Sequence, residues 1–371
     1  MFDKVLVTNG DYRHTLAIIR AISEDYEVHV GSERQRACGF YSKFVNGRMR
    51  YNVSSPESFL KSINAYIKSR KIDALLPVGD TCFFYSSLLK NKIEASVPVA
   101  DIKSMLVARN KVEMMERARK VGFKTPEIVE SPSQFPVVLK PVSGRGNLRF
   151  VNNKKEFIEA KKFFEKKKIP FFITEYIEGN ENYSFAGLFK EGKLKAFFMY
   201  REIREFPLTG GSATYAISTY DERIKTNCQK LLENLKWHGV AMVEFKINSK
   251  GEKYFMEVNP KFWASLELAI VSGVNFPLLL LKMAEGKKIN QPKYLVGVRF
   301  CWLLEDFLNF LSRPKMEFIK SFHGKMTTDI HLDDLSPHVF RIFQTFYKIY
   351  KAKKQRKNFK LGYPYGIPIK K

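Results

Sequence analysis

Near residue 250 the chain reads Val240-Ala241-Met242-Val243-Glu244, a turn at Asn248 to Gly251, then Tyr254-Phe255-Met256-Glu257-Val258-Asn259-Pro260. Two apolar strands joined by a short polar turn form a hairpin. Side chains alternate along a strand, so Glu257 and Asn259 share a face, and pairing brings Glu244 close to them. One Glu there would mean only a polar outer face. Two carboxylates set among apolar residues need a partner or a task, because a buried charge without one is costly. Two carboxylates and an amide oxygen are a hard donor set that suits Mg²⁺ carrying phosphates.

The rest of the chain is read around this hairpin. In residues 1–105, apolar runs at Lys4–Thr8, Glu27–Val30 and Asp73–Pro77 alternate with helical patterns at Thr15–Ile22 and Pro56–Ser69. That order predicts a parallel α/β sheet. A helix over Asn110–Val121 ends at Gly122 and Pro126. A strand at Pro136–Pro141, a Lys-rich helix at Lys154–Lys168 and a strand at Phe171–Ile177 follow. Tyr183–Leu188 and Leu194–Tyr200 read as antiparallel partners, and Arg223–Leu235, Trp263–Val271 and Pro277–Ala284 as helices. Beyond Gln291 the chain is aromatic-rich and reads as mostly helical.

Three further elements carry charge in suggestive places. Lys140 ends an apolar strand just before Pro141 and the loop Ser143-Gly144-Arg145-Gly146-Asn147. A cation beside exposed backbone N–H groups holds phosphate, although the spacing is not that of a P-loop. Glu175-Tyr176-Ile177-Glu178-Gly179 puts an acid at a strand end before a break, where an adenine edge could meet it. Arg201 and Arg204 precede Thr209-Gly210-Gly211-Ser212, a pairing able to close over a developing phosphate.

Taken in order, Lys-Pro with a Gly loop, E-x-x-x-G, Arg with Gly-Gly-Ser, and Glu with E-x-N-P resemble the ATP-grasp superfamily. The likeness is strongest to the branch of the carbamoyl-phosphate synthase large chain and biotin carboxylase. It spans about residues 1–290 and is most specific from Arg201 to Pro277. It implies an N-terminal pre-ATP-grasp, Rossmann-like α/β domain (1–105) and a two-lobed α+β ATP-grasp domain (106–290, lid about 125–200). A helical basic C-terminal extension (291–371) completes the chain. The resemblance implies ATP and Mg²⁺ as cofactors, with Mn²⁺ an alternative. It places Lys111, Lys140, Ser143, Gly144, Arg145 and Gly146 at the phosphates, and Glu175, Tyr176 and Ile177 at adenine. Glu181 or Asn182 would meet the ribose, because the run Gly179-Asn180-Glu181-Asn182-Tyr183-Ser184 has one residue more than the family pattern. Glu244, Glu257 and Asn259 would hold the metal, with Arg204 and Lys261 beside the transferred phosphoryl. Lys261 and Ala264 stand where the family commonly has Arg and Gly; lysine keeps the charge without the bidentate fork.

The implied reaction is carboxylate–amine ligation through an acyl-phosphate. It needs no protein nucleophile, which agrees with the missing Ser/His/Asp and Cys/His sets. A carboxylating or phosphotransfer enzyme, or a basic binding protein with a degenerate ATP site, are the alternatives. Asp11, Arg13, His14 and Asp80 follow apolar strands of the first domain, where substrates of parallel sheets bind.

The net charge of +25 favours an acidic carboxylate substrate. Residues 335–371 hold ten Lys/Arg and no Asp or Glu, and Val339–Tyr350 mixes aromatics with them. That pattern fits an amphipathic helix packed on the body, or one that meets a membrane surface or polyanion. No apolar run reaches membrane-spanning length, the start of the chain reads as strand with no leader, and four scattered cysteines form no metal or disulfide pattern. A cytoplasmic protein is expected, or one at the membrane periphery through its tail. A homodimer is compatible with this reading.

Overall fold

The computed structural model describes residues 1–355 apart from 145, 180, 209, 315–317 and 319–325, together with residue 361. The chain opens with β1 (Lys4–Val7), α1 (Arg13–Ile22), β2 (Glu27–Ser32), β3 (Gly47–Arg50), α2 (Pro56–Arg70), β4 (Ala74–Leu76) and α3 (Asp80–Leu88). The four strands form a parallel sheet in the order β3-β2-β1-β4. Val5, Leu6 and Val7 have no exposed surface, as expected of a strand covered on both sides. Local chemistry sets the ends of α2: Ser55 accepts the Ser58 N–H, proline stands in the first turn, and Lys71 closes the helix in the left-handed region at φ 55°.

Two helices, α4 (Ile102–Arg109) and α5 (Lys111–Lys120), lead to β5 (Val137–Pro141), β6 (Arg149–Val151), α6 (Lys154–Lys166) and β7 (Phe171–Glu175). These strands form a small antiparallel sheet, β6-β5-β7. Its core is its own: Val137, Leu139, Val151, Ala160, Phe164 and Ile173 form a cluster separate from the main one. The parallel sheet and the large sheet that follows share a single core.

The large sheet is built from β8 (Glu181–Lys190), β9 (Lys193–Phe206), β10 (Ser212–Thr219), then, after α7 (Glu222–Glu233), β11 (Gly239–Ile247) and β12 (Lys253–Asn259). Next come α8 (Leu266–Val271), α9 (Phe276–Ala284), β13 (Arg299–Cys301), α10 (Leu303–Ser312), β14 (Thr327–Thr328) and α11 (Ser336–Gln355). The strand order is β12-β11-β8-β9-β10-β13-β14.

The structure departs from the sequence reading in three places. The Gly-Gly-Ser loop opens directly into a strand, β10, whose SATYAIST sequence is rich in β-formers. A side chain at Gly211 would lie 2.1 Å from the Phe206 carbonyl carbon, so only glycine fits that turn. The helix expected from Trp263 starts only at Leu266. The region after Gln291 is not simply helical, since β13 and β14 extend the large sheet from β10 outward.

Candidate active site

The hairpin β11–β12 forms in the expected register, with Glu244 directly opposite Glu257. On the other side of β11, Glu244 faces Ser184. Asn259 is buried at 4% exposure and donates from Nδ2 to Glu257 Oε1 at 3.3 Å. Lys261, also 4% exposed, follows after Pro260, its backbone N–H donating to the Asn259 carbonyl at 2.9 Å.

The small sheet supplies cations to the same place. Lys140, on β5, is only 8% exposed. Burial pulls its ammonium down to about 8; Glu257 opposes that shift and Lys111 reinforces it. Lys111 starts α5, where Asn110 caps the helix by accepting the Glu113 N–H. Its Nζ lies 2.9 Å from Glu257 and donates to the Gly144 carbonyl at 2.8 Å. Lys111 therefore ties the loop after β5 to β12 of the large sheet. Ser143, Gly144 and Gly146 lie in that loop, Arg145 falls outside the described residues, and Gly144 and Gly146 take φ of 80° and 79°. A side chain at either glycine would meet nothing within 4 Å, so the positive φ and not a close approach is what favours glycine there.

The residues expected at adenine lie at the junction between the sheets. Glu175 ends β7, and its Oε1 accepts the Glu127 N–H at 3.0 Å. Tyr176 packs edge-on against Phe150, and Ile177 is buried. Gly179 passes so close to β11 that a side chain there would overlap the Ile247 carbonyl. The two ribose candidates separate by face. Asn182 pairs with Glu202 and Lys246, two residues along from the Ser184–Glu244 pair, so it shares the face of Glu244. Glu181 points to the opposite face, pairs with Arg201 at 3.3 Å, and lines a cavity of about 560 Å³ with Tyr183 and Lys253.

Arg204 has a partner the sequence did not reveal. Its guanidinium grips Asp306 of α10 with both arms, at 2.8 and 2.6 Å, and lies over the Tyr215 ring. Asp306 has no exposed surface and also accepts from Thr214 Oγ1 at 2.7 Å. Arg13 likewise reaches across the molecule. It donates to the carbonyls of Ala213 and Ala264, lies 4.4 Å over Trp302, and sits 3.9 Å from Glu305. Asp11 pairs with Arg34 and Asp80 with Arg109.

The sequence reading also missed two acids on β9, Glu202 buried and Glu205 half-buried. Glu202 is 8% exposed and is raised to about 7 by burial and by the charge of Glu205. Glu205 is raised by burial as well, and both accept from Asn182 Nδ2. The sequence reading singled out the arginines of REIREF and passed over its acids. Their shared contact with Asn182 brings both acids beside the face of Glu244.

The profile of the ATP-grasp domain family matches residues 108–265. This segment is an ATP-grasp domain. Lys111, Lys140, Lys261, Glu244 and Glu257, the small sheet and strands β8 to β12 of the large one all fall inside the matched span. No curated protein matches the chain significantly. Among solved structures, the biotin carboxylase domain of 2-oxoglutarate carboxylase from Hydrogenobacter thermophilus, a dimer with MgADP and bicarbonate, superposes with a TM-score of 0.65 at 16% identity. That match covers 81% of this chain and 73% of the other. The N5-carboxyaminoimidazole synthetase of Staphylococcus aureus, complexed with ADP, gives 0.65 at 15% identity, covering 86% of each chain. The L-amino acid ligase of Bacillus licheniformis gives 0.61 at 16%, covering 79% of this chain and 75% of that one. At such identities these likenesses establish the fold.

The ATP-grasp site fits a metal–triphosphate in its chemistry. Among the described residues no three His, Cys, Asp or Glu come together as a metal-only cage. Glu244, Glu257 and Asn259 offer two carboxylates and an amide, which leaves coordination positions for phosphate oxygens, as Mg²⁺ prefers. A desolvated ammonium at Lys140, with a second lysine beside it, is an anion site by charge.

Proposed function

We propose that the chain is an ATP-dependent ligase. It activates a substrate carboxylate as an acyl-phosphate and joins it to an amine or similar nucleophile, releasing ADP and phosphate. The observation that carries this reading is the convergence of Lys111 and Lys140 from one side with Glu257 and Asn259 from the other.

In this reading the buried Lys140 ammonium holds α/β-phosphate oxygens, and a phosphate there restores the charge that burial disfavours. Lys111 exchanges its contacts with Gly144 and Glu257 for phosphate, which frees the loop to settle on the nucleotide. Glu257, Glu244 and Asn259 would hold Mg²⁺, whose role is to neutralise charge on the transferring phosphoryl. Lys261, buried two residues past the strand, keeps positive charge beside the reacting oxygens. Asn182 meets the ribose from the face it shares with Glu244. Arg204, held by Asp306, shapes the floor near β10; contact with the phosphoryl would require it to trade part of that grip. The excess of basic residues favours an acidic carboxylate as the activated substrate.

The test is ADP release from Mg²⁺-ATP against pooled carboxylates and amines, with Glu257→Gln alongside. Turnover that needs one acid and one amine and falls at least about a thousandfold in the variant is expected. Turnover unchanged in the variant would remove the proposed metal site. Biotin carboxylase and carboxyaminoimidazole synthetase among the similar structures favour one second reading, a carboxylating enzyme. Turnover dependent on bicarbonate and indifferent to amines would select it.

A further inference from the structure

The final helix, α11, has two unlike faces. Its inner face is anchored. Phe340 stacks on Tyr41 with ring centres 4.6 Å apart, and Arg341 is buried against Asp329 and Glu305. Its outer face carries Val339, Ile342, Phe343, Phe346, Tyr347 and Tyr350, all classed as exposed. Phe343 is 72% exposed, Tyr347 65% and Tyr350 64%. The spacing of three, four, seven and eight residues makes these one continuous stripe over three helical turns. Lys351, Lys353 and Lys354 follow it directly.

We propose that this face is an interfacial anchor that lies on an anionic lipid surface. The stripe is the apolar half of such an element and the lysines are the other half, able to extend their ammonium groups to lipid headgroups. Charge complementarity selects the occupant. From residue 335 to the end the chain has ten Lys/Arg and no acid, so it seeks an anionic surface. A second copy of the same helix would set like charge against like charge. A nucleic acid satisfies the charge but leaves the aliphatic Val339 and Ile342 without a partner. Among the described residues no helix is long and apolar enough to cross a membrane, so the contact is with the surface. Because Arg341 is fixed from behind, the stripe is presented on a rigid support and not on a loose tail.

The test uses the full chain. Co-sedimentation with neutral phosphatidylcholine vesicles is compared with vesicles in which about one-third of the lipid is phosphatidylserine. Binding to the anionic vesicles alone, weakened by added salt, is expected. Phe343→Glu with Phe346→Glu, both at exposed positions, should weaken it at least about tenfold with the thermal midpoint unchanged. A Lys351→Glu, Lys353→Glu, Lys354→Glu variant should do the same by charge alone. Absence of vesicle binding, equal binding to neutral vesicles, or variants that sediment like the wild type would overturn the proposal. So would a wild-type dimer that Phe343→Glu splits, or binding to RNA without binding to vesicles.

Discussion

Two clusters of charge sit toward opposite ends of the large sheet and behave in opposite ways. At the β11–β12 edge, Lys111 and Lys140 converge on Glu257, and burial leaves Lys140 with a proton it holds weakly, at about 8. At the β10–β13 edge, Arg204 has both arms on Asp306, and Arg341 has Asp329 and Glu305. Burial acts on Arg341 too, yet the two carboxylates outweigh it and the guanidinium is pushed up. At Lys140 burial outweighs the acid that opposes it; at Arg341 the acids outweigh burial. A charge that its surroundings disfavour is what a ligand of opposite sign can answer, and a charge held by buried acids is a joint.

The joint should fail by instability. Asp306→Ala leaves the half-buried Arg204 guanidinium and the Thr214 hydroxyl without their fully buried carboxylate, and breaking such a pair costs up to about 3–5 kcal/mol. A large drop in thermal midpoint is expected, measured calorimetrically without nucleotide. A midpoint within a degree or so of wild type would place Arg204 in the ligand cluster instead.

Glu202 sharpens the contrast because its charge is also poorly answered. Its carboxyl is raised to about 7, so the folded state holds a proton that the unfolded chain releases between its ordinary value and 7. Stability from this group is therefore fully present at low pH and lost as pH rises through 7. Glu202→Gln keeps the neutral shape at every pH. The variant should be more stable than wild type at pH 8, by on the order of 2 kcal/mol, and equal to it near pH 4. Paired denaturation curves at the two pH values check this; a variant less stable at pH 8 would show that the charged form is the one the fold holds.

Lys140 gives the smallest effect and the most specific one. Free Lys140 titrates near 8, and a bound triphosphate favours its charged form. Nucleotide binding should then take up protons around pH 8, and affinity should weaken as pH rises above it, by up to about tenfold per unit. Calorimetry in buffers of different ionisation enthalpy measures the uptake. None at pH 8 would mean that Lys140 does not meet the phosphates.

The same contrast explains what the sequence could convey. Glu244, Glu257 and Asn259 were legible because a short turn fixes the register of a hairpin, and register fixes which side chains share a face. Lys140 was legible as the cation at the end of an apolar strand, and the parallel β1–β4 sheet from its buried runs. Asp306 was not, because it meets Arg204 across 102 residues of chain and no local pattern encodes that contact. Glu202 and Glu205 were hidden for a related reason. Alternating charge on β9 looks like a solvent face until the neighbouring strand shows which side is covered. The two-residue β14 is too short to carry any period.

The central claim is that the buried Lys140, with Lys111 beside it, belongs to the nucleotide site. The most direct test is titration of Mg²⁺-ATP into wild type and Lys140→Met, with thermal midpoints recorded without nucleotide. The account predicts that the variant binds ATP at least about a hundredfold more weakly while melting at the wild-type temperature or above, since an apolar side chain replaces a desolvated charge. Equal affinity in the two proteins, with the variant folded, would contradict it.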